Sequence, residues 1–248
     1  MPPIVLVTGA AHRLGAATAR ALHGRGCNLI IHYGRSAGAA ESLCTELNNQ
    51  RPGSAVAVPA DLCDDTAIAA LAQRALSVWG RLDCLINNAS RFYPTPLADA
   101  THSQWDELMA SNLRAPFFLS RALAAALQET AGTIVNLADI NGRQPMPGYP
   151  IYNIAKAGNI MLTKTLAREL APRVRVNGIA PGAILWPEGE AAFEGSEQQR
   201  LLARIPLGRL GTAEEIAALT TLLALEPGYL NGQVITMDGG LSLAGGYT

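Results

Sequence analysis

An excess of charge of one sign, long apolar runs and paired cysteines are all missing from this chain, and each absence closes off a class of function. Lys plus Arg number 19 against 20 Asp plus Glu, a formal net charge of −1. A nucleic-acid partner is not expected, because neutralising phosphates leaves a basic footprint. No apolar stretch approaches the roughly 20 residues that a bilayer crossing requires, although hydrophobic residues make up 49% of the sequence, so no membrane partner is expected either. Met1-Pro2-Pro3 runs directly into Ile4-Val5-Leu6-Val7 without a basic leader, which is not a secretory signal; a cytoplasmic location is the expectation. Cys27, Cys44, Cys63 and Cys84 show neither a CxxC pair nor zinc-ligand spacing, and His12, His23, His32 and His102 form no cluster. Four reduced thiols and no metal site are expected. Aromatics are scarce, at 5%.

What is present is a regular alternation. Short β-branched runs at Ile4–Thr8, Asn28–His32, Ala55–Pro59, Cys84–Asn87, Thr133–Asn136, Arg175–Ile179 and Gln233–Met237 are separated by helix-length segments. Most of the runs are continuously apolar, as strands covered on both faces are. Between two of them, Ile68, Leu71, Ala72, Ala75 and Trp79 fall at helical spacing over Asp64–Trp79, and Thr212 with Glu215 forms a capping box. This pattern predicts an α/β chain with a parallel sheet wound on both sides. No linker, repeat or low-complexity tract divides it, so residues 1–248 are read as one domain. The stretch 183–206, polar at its centre, breaks the rhythm and is read as a substrate lid.

After the first strand comes Thr8-Gly9-Ala10-Ala11-His12-Arg13-Leu14-Gly15 and then an alanine-rich helix. Gly9 suits a tight turn and Gly15 close packing of helix on sheet, leaving the helix N-terminus to face a pyrophosphate. The second strand ends His32-Tyr33-Gly34-Arg35-Ser36, with no carboxylate to accept a ribose 2′-hydroxyl. Arg35, Ser36 and Arg13 instead offer donors suited to a 2′-phosphate, which favours NADP(H) over solvated surface charge. Asp61 suits either an adenine amino group or a cap for the following helix.

Tyr152 and Lys156 lie four apart on one helix face. An ammonium near the phenol is expected to lower its pKa and make it a better general acid. Asn112 stands four residues before Pro116, which has no N–H, so the Asn112 carbonyl loses its helical partner. A carbonyl freed in this way can hold a water that links Lys156 to solvent; the alternative is a kinked helix with an ordinary asparagine.

Together with Asn87-Asn88-Ala89, Pro181-Gly182 and Asp238-Gly239-Gly240, these residues resemble the short-chain dehydrogenase/reductase family over Ile4 to about Leu243. The resemblance implies a seven-stranded Rossmann sheet, hydride transfer from a nicotinamide, and a homotetramer or dimer, of which the tetramer is the expectation. It also implies cofactor contacts at Gly9, Arg13, Leu14, Gly15, His32, Tyr33, Arg35, Ser36, Asp61, Leu62, Asn88, Ala89, Ser90, Tyr152, Lys156, Pro181 and Gly182. Substrate contacts are implied at Ser90, Phe92, Asp139, Tyr152, Pro181, Ile184 and Trp186, with Asn112, Asp139, Tyr152 and Lys156 catalytic.

Three departures from the general family are similar to pteridine reductases, and the bacterial dihydromonapterin reductases are a second comparison. Asp139 replaces the usual Ser or Thr, Arg13 the usual middle glycine, and Asn87-Asn88-Ala89 continues as Ser90-Arg91-Phe92. The long insertion after the fourth strand of the trypanosomatid enzymes is missing, and Arg91 and Ile184 stand where those enzymes have serines. A carboxylate at 139 would repel a developing alkoxide, whereas reduction of a pterin C=N ends with a proton on a ring nitrogen that Asp139 can orient, relay or bond. Asp139 can equally be a turn residue before Asn141-Gly142. Phe92 offers a π-face to a flat heteroaromatic ring, or simply packs in the core, and Trp186 and Phe193 are two further aromatics that would reach the site if the lid brings them there. The expected function is therefore an NADPH-dependent pteridine reductase. A 3-oxoacyl or general carbonyl reductase and a non-catalytic NADP(H)-binding sensor are its competitors.

Overall fold

The structure, a computed structural model, describes residues 1–186, 195–226 and 228–243. Seven parallel strands form one sheet in the order β3-β2-β1-β4-β5-β6-β7. They are β1 (Ile4–Val7), β2 (Asn28–Tyr33), β3 (Ala55–Pro59), β4 (Cys84–Asn87), β5 (Thr133–Leu137), β6 (Arg175–Pro181) and β7 (Val234–Met237). The helices are α1 (Arg13–Gly24), α2 (Ala37–Gln50), α3 (Asp65–Trp79), α4 (His102–Met109), α5 (Ala115–Glu129), α6 (Pro150–Glu169), α7 (Ser196–Arg204) and α8 (Ala213–Leu225). This is the parallel sheet wound on both sides that the alternation predicts, with the seven-stranded Rossmann order that the resemblance implies. The continuous apolar runs reflect burial on both faces. Val5, Val7, Leu29 and Ile31 join one core cluster, while Ile4, Leu6 and Ile30 join another on the opposite side.

Local signals set several boundaries. Asp64 caps α3 by accepting from Thr66 N–H at 2.8 Å, and Gly80 ends that helix in the left-handed region, which glycine enters without a Cβ clash. The Thr212–Glu215 capping box is formed, with reciprocal bonds of 3.1 and 2.8 Å at the start of α8. Strand β6 runs two residues beyond the expected Ile179. Strand β5 leaves the ladder at Leu137↔Ile179, so Pro181 sits where only β7 is paired and a missing N–H costs little.

The strand order reverses between β1 and β4. Chain segments leaving their C-terminal ends diverge there and leave a crevice, the place where open α/β sheets bind ligands.

Candidate active site

Two adjoining clefts occupy that crevice. A groove of about 370 Å³ runs over the Gly9–Gly15 turn, His32, Gly34 and Ala60–Cys63. A deeper cleft of about 490 Å³ lies over Asp139, Tyr152 and Lys156. Arg13, Leu14, Asn88 and Ser90 border both, so the two form one trough.

The turn is held tightly from below. Asn88 donates through Nδ2 to the carbonyls of Thr8 and Gly9 at 2.8 and 3.0 Å, and Thr8 Oγ1 accepts from Asn88 N–H and Ala89 N–H at 2.9 and 3.0 Å. Gly9 has φ +61°, and a Cβ there would lie 2.8 Å from Ala89 Cα. A Cβ on Gly15 would come within 2.6 Å of Asn88 Nδ2. Arg13 occupies the left-handed region at φ +51°, which explains why a glycine is usual at this point of the turn. Its Nη2 crosses the trough to donate to the Trp186 carbonyl at 3.0 Å. His12 at the N-cap of α1 makes no side-chain bond to the helix, and no acidic residue occupies the first turn, so this helix end is open to an anion.

The remaining expected cofactor residues are spread unequally. Leu62 and Ala89 line the groove. Asp61 also borders it while accepting from Cys63 N–H at 2.9 Å; the helix cap is Asp64, one of two roles that had been open for Asp61. Tyr33 packs against the core, and Arg35 is exposed just past the groove's Gly34 edge, next to Ser36. His32 is buried beneath the turn.

At the other end of the trough, Tyr152 Oη donates to Asp139 Oδ2 at 2.8 Å. The second oxygen, Oδ1, accepts from Asn141 N–H at 2.8 Å and caps a 3₁₀ turn at Ile140–Gly142. Asp139 is thus a turn residue through one oxygen and a partner of the Tyr152 hydroxyl through the other. Lys156, 2% exposed, donates to the Leu137 carbonyl at 2.9 Å and lies 5.6 Å from the Tyr152 ring centroid. Burial draws the Lys156 ammonium down to about 8 against the opposing pull of Asp139. Loss of solvent raises the Asp139 carboxyl, with Asn141, Lys156 and Tyr152 acting the other way. The Tyr152 phenol is driven well above its ordinary value, first by burial and then by the charge and hydrogen bond of Asp139. This direction is opposite to the lowering expected from Lys156: burial and the Asp139 carboxylate both oppose the phenolate.

Asn112 lies in a π-helical turn, Ala110–Arg114, between α4 and α5. Pro116 has no N–H to continue the ladder, and the chain inserts this wider turn before restarting. The carbonyl at Asn112 is nevertheless not free. Asn159 Nδ2 donates to it at 3.1 Å, which occupies one of its two lone pairs. The Asn112 side chain accepts from Ser90 Oγ at 2.6 Å and donates to the carbonyls of Arg91 and Leu108 at 3.0 Å. Asn159 escaped notice, although its spacing of three from Lys156 and seven from Tyr152 puts it on their helix face.

Phe92, Pro181, Gly182, Ile184 and Trp186 all line the deeper cleft. Phe92 stacks on Tyr149 at 4.7 Å between centroids and 8° between planes, and meets Tyr152 edge-on at 4.8 Å. Tyr149, an aromatic immediately before the helix-starting Pro150, is a second missed residue; it takes one face of Phe92 and fixes the ring. Leu201 and Arg204 of α7 also line the cleft. Part of the expected lid, residues 187–194 with Phe193, lies outside the described residues.

A family model described as enoyl-(acyl carrier protein) reductase matches residues 9–242. Pteridine reductase 1 of Leishmania tarentolae is 37% identical over 283 aligned positions, which cover 97% of this chain and 96% of that protein. Similarity extends to two 3-oxoacyl-(acyl-carrier-protein) reductases. The protein from Synechocystis is 35% identical over 96% of both chains, and that from Staphylococcus aureus 34% identical over 97% of this chain and 98% of its own.

The coupling of Asp139 to Tyr152 predicts that Asp139→Asn lowers the phenol's pKa, because the opposing charge is gone while the burial stays. Tyrosine ¹³C NMR through a pH series checks this; an unchanged midpoint refutes the coupling.

Proposed function

The chain belongs to the short-chain dehydrogenase/reductase family, and we propose that within it the protein is an NADPH-dependent pteridine reductase. The family's reductases use a nicotinamide dinucleotide, and the residues present fit one. The Gly9 and Gly15 positions leave no room for a Cβ, the α1 N-terminus is open to an anion, and the groove leads directly into the deeper cleft. When bound there, the nicotinamide supplies a hydride. For the phosphorylated form, the support is the absence of a carboxylate at the end of β2 together with exposed Arg35 beside Ser36 and Arg13 across the turn.

The observation that carries the pterin reading is the 2.8 Å bond between Asp139 and Tyr152. Tyr152, kept protonated by burial, holds a proton ready for a ring nitrogen. Asp139 orients that phenol and offers an acceptor to the N–H formed when a C=N bond of a dihydropterin is reduced. Held by Tyr149, Phe92 presents an aromatic wall to a planar bicycle. Lys156 keeps a positive charge below the phenol, and Asn112 holds Ser90 at the junction of the two clefts. Residues 183–206 are read as the lid over this substrate. A carbonyl reductase is the second reading, favoured by the similarity to 3-oxoacyl reductases. An acceptor carboxylate facing an incoming carbonyl oxygen argues against it.

We also read the protein as a cytoplasmic homotetramer. No described helix is long and apolar enough to cross a membrane, and the described cysteines are free thiols. Trp105 of α4, Phe117 and Phe118 of α5, and Ile154 and Met161 of α6 are large apolar side chains left exposed in the single chain. Sedimentation equilibrium is expected to give four times the 26.1 kDa chain mass; a monomer would refute it.

NADPH oxidation followed by absorbance with dihydrobiopterin, dihydromonapterin, dihydrofolate and a β-ketoacyl ester in parallel tests the activity. Turnover of the pterins is expected, and turnover of the ester alone would replace the reading with carbonyl reduction. Asp139→Ser is expected to cut pterin reduction by on the order of 100-fold or more, and full activity would remove Asp139 from the chemistry. Arg35→Ala is expected to raise KM for NADPH about tenfold and to leave KM for NADH nearly unchanged. Equal effects on the two would place the 2′-phosphate elsewhere.

A further inference from the structure

His32 reaches none of the reacting groups, yet three parts of the cofactor groove are tied to it. Its main-chain carbonyl accepts from Ala10 N–H at 2.9 Å, and its ring Nδ1 contacts Gly9 N–H at 3.0 Å. The ring's other nitrogen, Nε2, lies 3.1 Å from the Ala60 carbonyl. Two consecutive amides of the turn after β1 therefore end on one residue of β2, which also reaches the end of β3.

The partners dictate the state of the ring. An amide N–H can only donate, so Nδ1 must be bare; a carbonyl can only accept, so Nε2 must carry the proton. A single neutral tautomer satisfies both, and an imidazolium would set N–H against N–H at Gly9. The ring is 2% exposed, and burial pulls its pKa down to about 4, against the smaller opposing effect of the Ala60 bond. The charged and titratable side chains bordering the groove around it are His12, Arg13, Asp61, Cys63 and Arg91.

We propose that His32 is a positioning residue for the dinucleotide: its neutral ring sets the span between the phosphate turn at Gly9 and the opposite wall at Ala60–Leu62. Gly9 has no side chain with which to anchor itself, and Asn88 holds its carbonyl but not its amide. The Nδ1 contact pins that amide. Because Ala60 leads into Asp61 and Leu62, which line the same groove, the Nε2 contact holds the far wall at a fixed distance. The inference rests on the family's use of a nicotinamide dinucleotide and not on the identity of the reducible substrate.

The test is direct titration with NADPH and with NADH, read by fluorescence, on the full chain and on His32→Leu, His32→Asn and His32→Gln. Asn places Oδ1 where Nδ1 stands and can still accept from Gly9, while Gln places an N–H donor where Nε2 stands and can still reach Ala60. His32→Leu is expected to weaken both dinucleotides about tenfold or more, equivalent to at least ~1.4 kcal/mol, and Asn and Gln to fall between it and the wild type. Weakening of NADPH and NADH together separates this effect from that of a 2′-phosphate site. Histidine ¹⁵N NMR at about pH 5.5, below the ordinary imidazole value, is expected to show His32 neutral and protonated at Nε2. A charged ring or the Nδ1–H tautomer there overturns the proposal, and so does wild-type affinity in His32→Leu. Should the Leu variant not fold, wild-type affinity for both dinucleotides in the Asn and Gln variants overturns it equally.

Discussion

Placing a carboxylate and a phenol 2.8 Å apart between the end of β5 and the first turns of α6 imposes terms on everything around them. Loss of solvent favours the neutral form of each, so the phenol keeps its proton and the carboxyl is drawn upward. Lys156, also out of water, is drawn down, and its hydrogen bond goes to the Leu137 carbonyl. The site as it stands holds the proton on the phenol and disfavours the phenolate. That balance depends on the Asp139 turn lying directly on α6. Gly142 permits the contact, since a Cβ there would come within 2.7 Å of the Lys156 backbone carbon.

Beneath the site, polar side chains run through the centre of the molecule. Ser90 bonds Asn112, whose carbonyl takes Asn159. The Asn159 carbonyl accepts from Thr163, and Thr163 takes Asn136, which accepts from Asn87, itself a donor to Ser120. Asn87 and Asn136 lie on central strands where apolar residues would otherwise be expected. Amides in such a place are tolerated only when paired, and their mutual bonds hold β4, β5, α5 and α6 in one arrangement. A single atom in the series lacks a protein partner among the described residues, Asn159 Oδ1.

The comparisons alone leave the substrate open, because a pteridine reductase and two 3-oxoacyl reductases lie within three percentage points of one another. The discrimination rests on local chemistry. The pterin reading draws on one acidic side chain bonded to the Tyr152 hydroxyl and one aromatic ring stacked on Tyr149, both lining the deeper cleft. Both act at the same end of the trough, whereas the turn at Gly9 and the groove serve any member of the family.

Much of the architecture was legible from local physics. Continuous apolar runs mark strands covered on both faces, Asp64 and the Thr212–Glu215 pair mark helix starts, and glycines mark a turn with no space for a Cβ. Tyr152 and Lys156 could be picked out by spacing, as could the lost helical bond before Pro116, and Asp139 by the resemblance to the family. Where that bond went could not be foreseen: Asn112 meets Asn159 across 47 residues of chain, and only the packing of α6 against the π turn brings them together. The same holds for Tyr149 behind Phe92, for Arg13 reaching Trp186, and for His32 joining Gly9 to Ala60. The direction of the phenol's shift belongs here too. A neighbour's charge is written in the sequence, but the dielectric in which it acts is made only when the chain has folded around it.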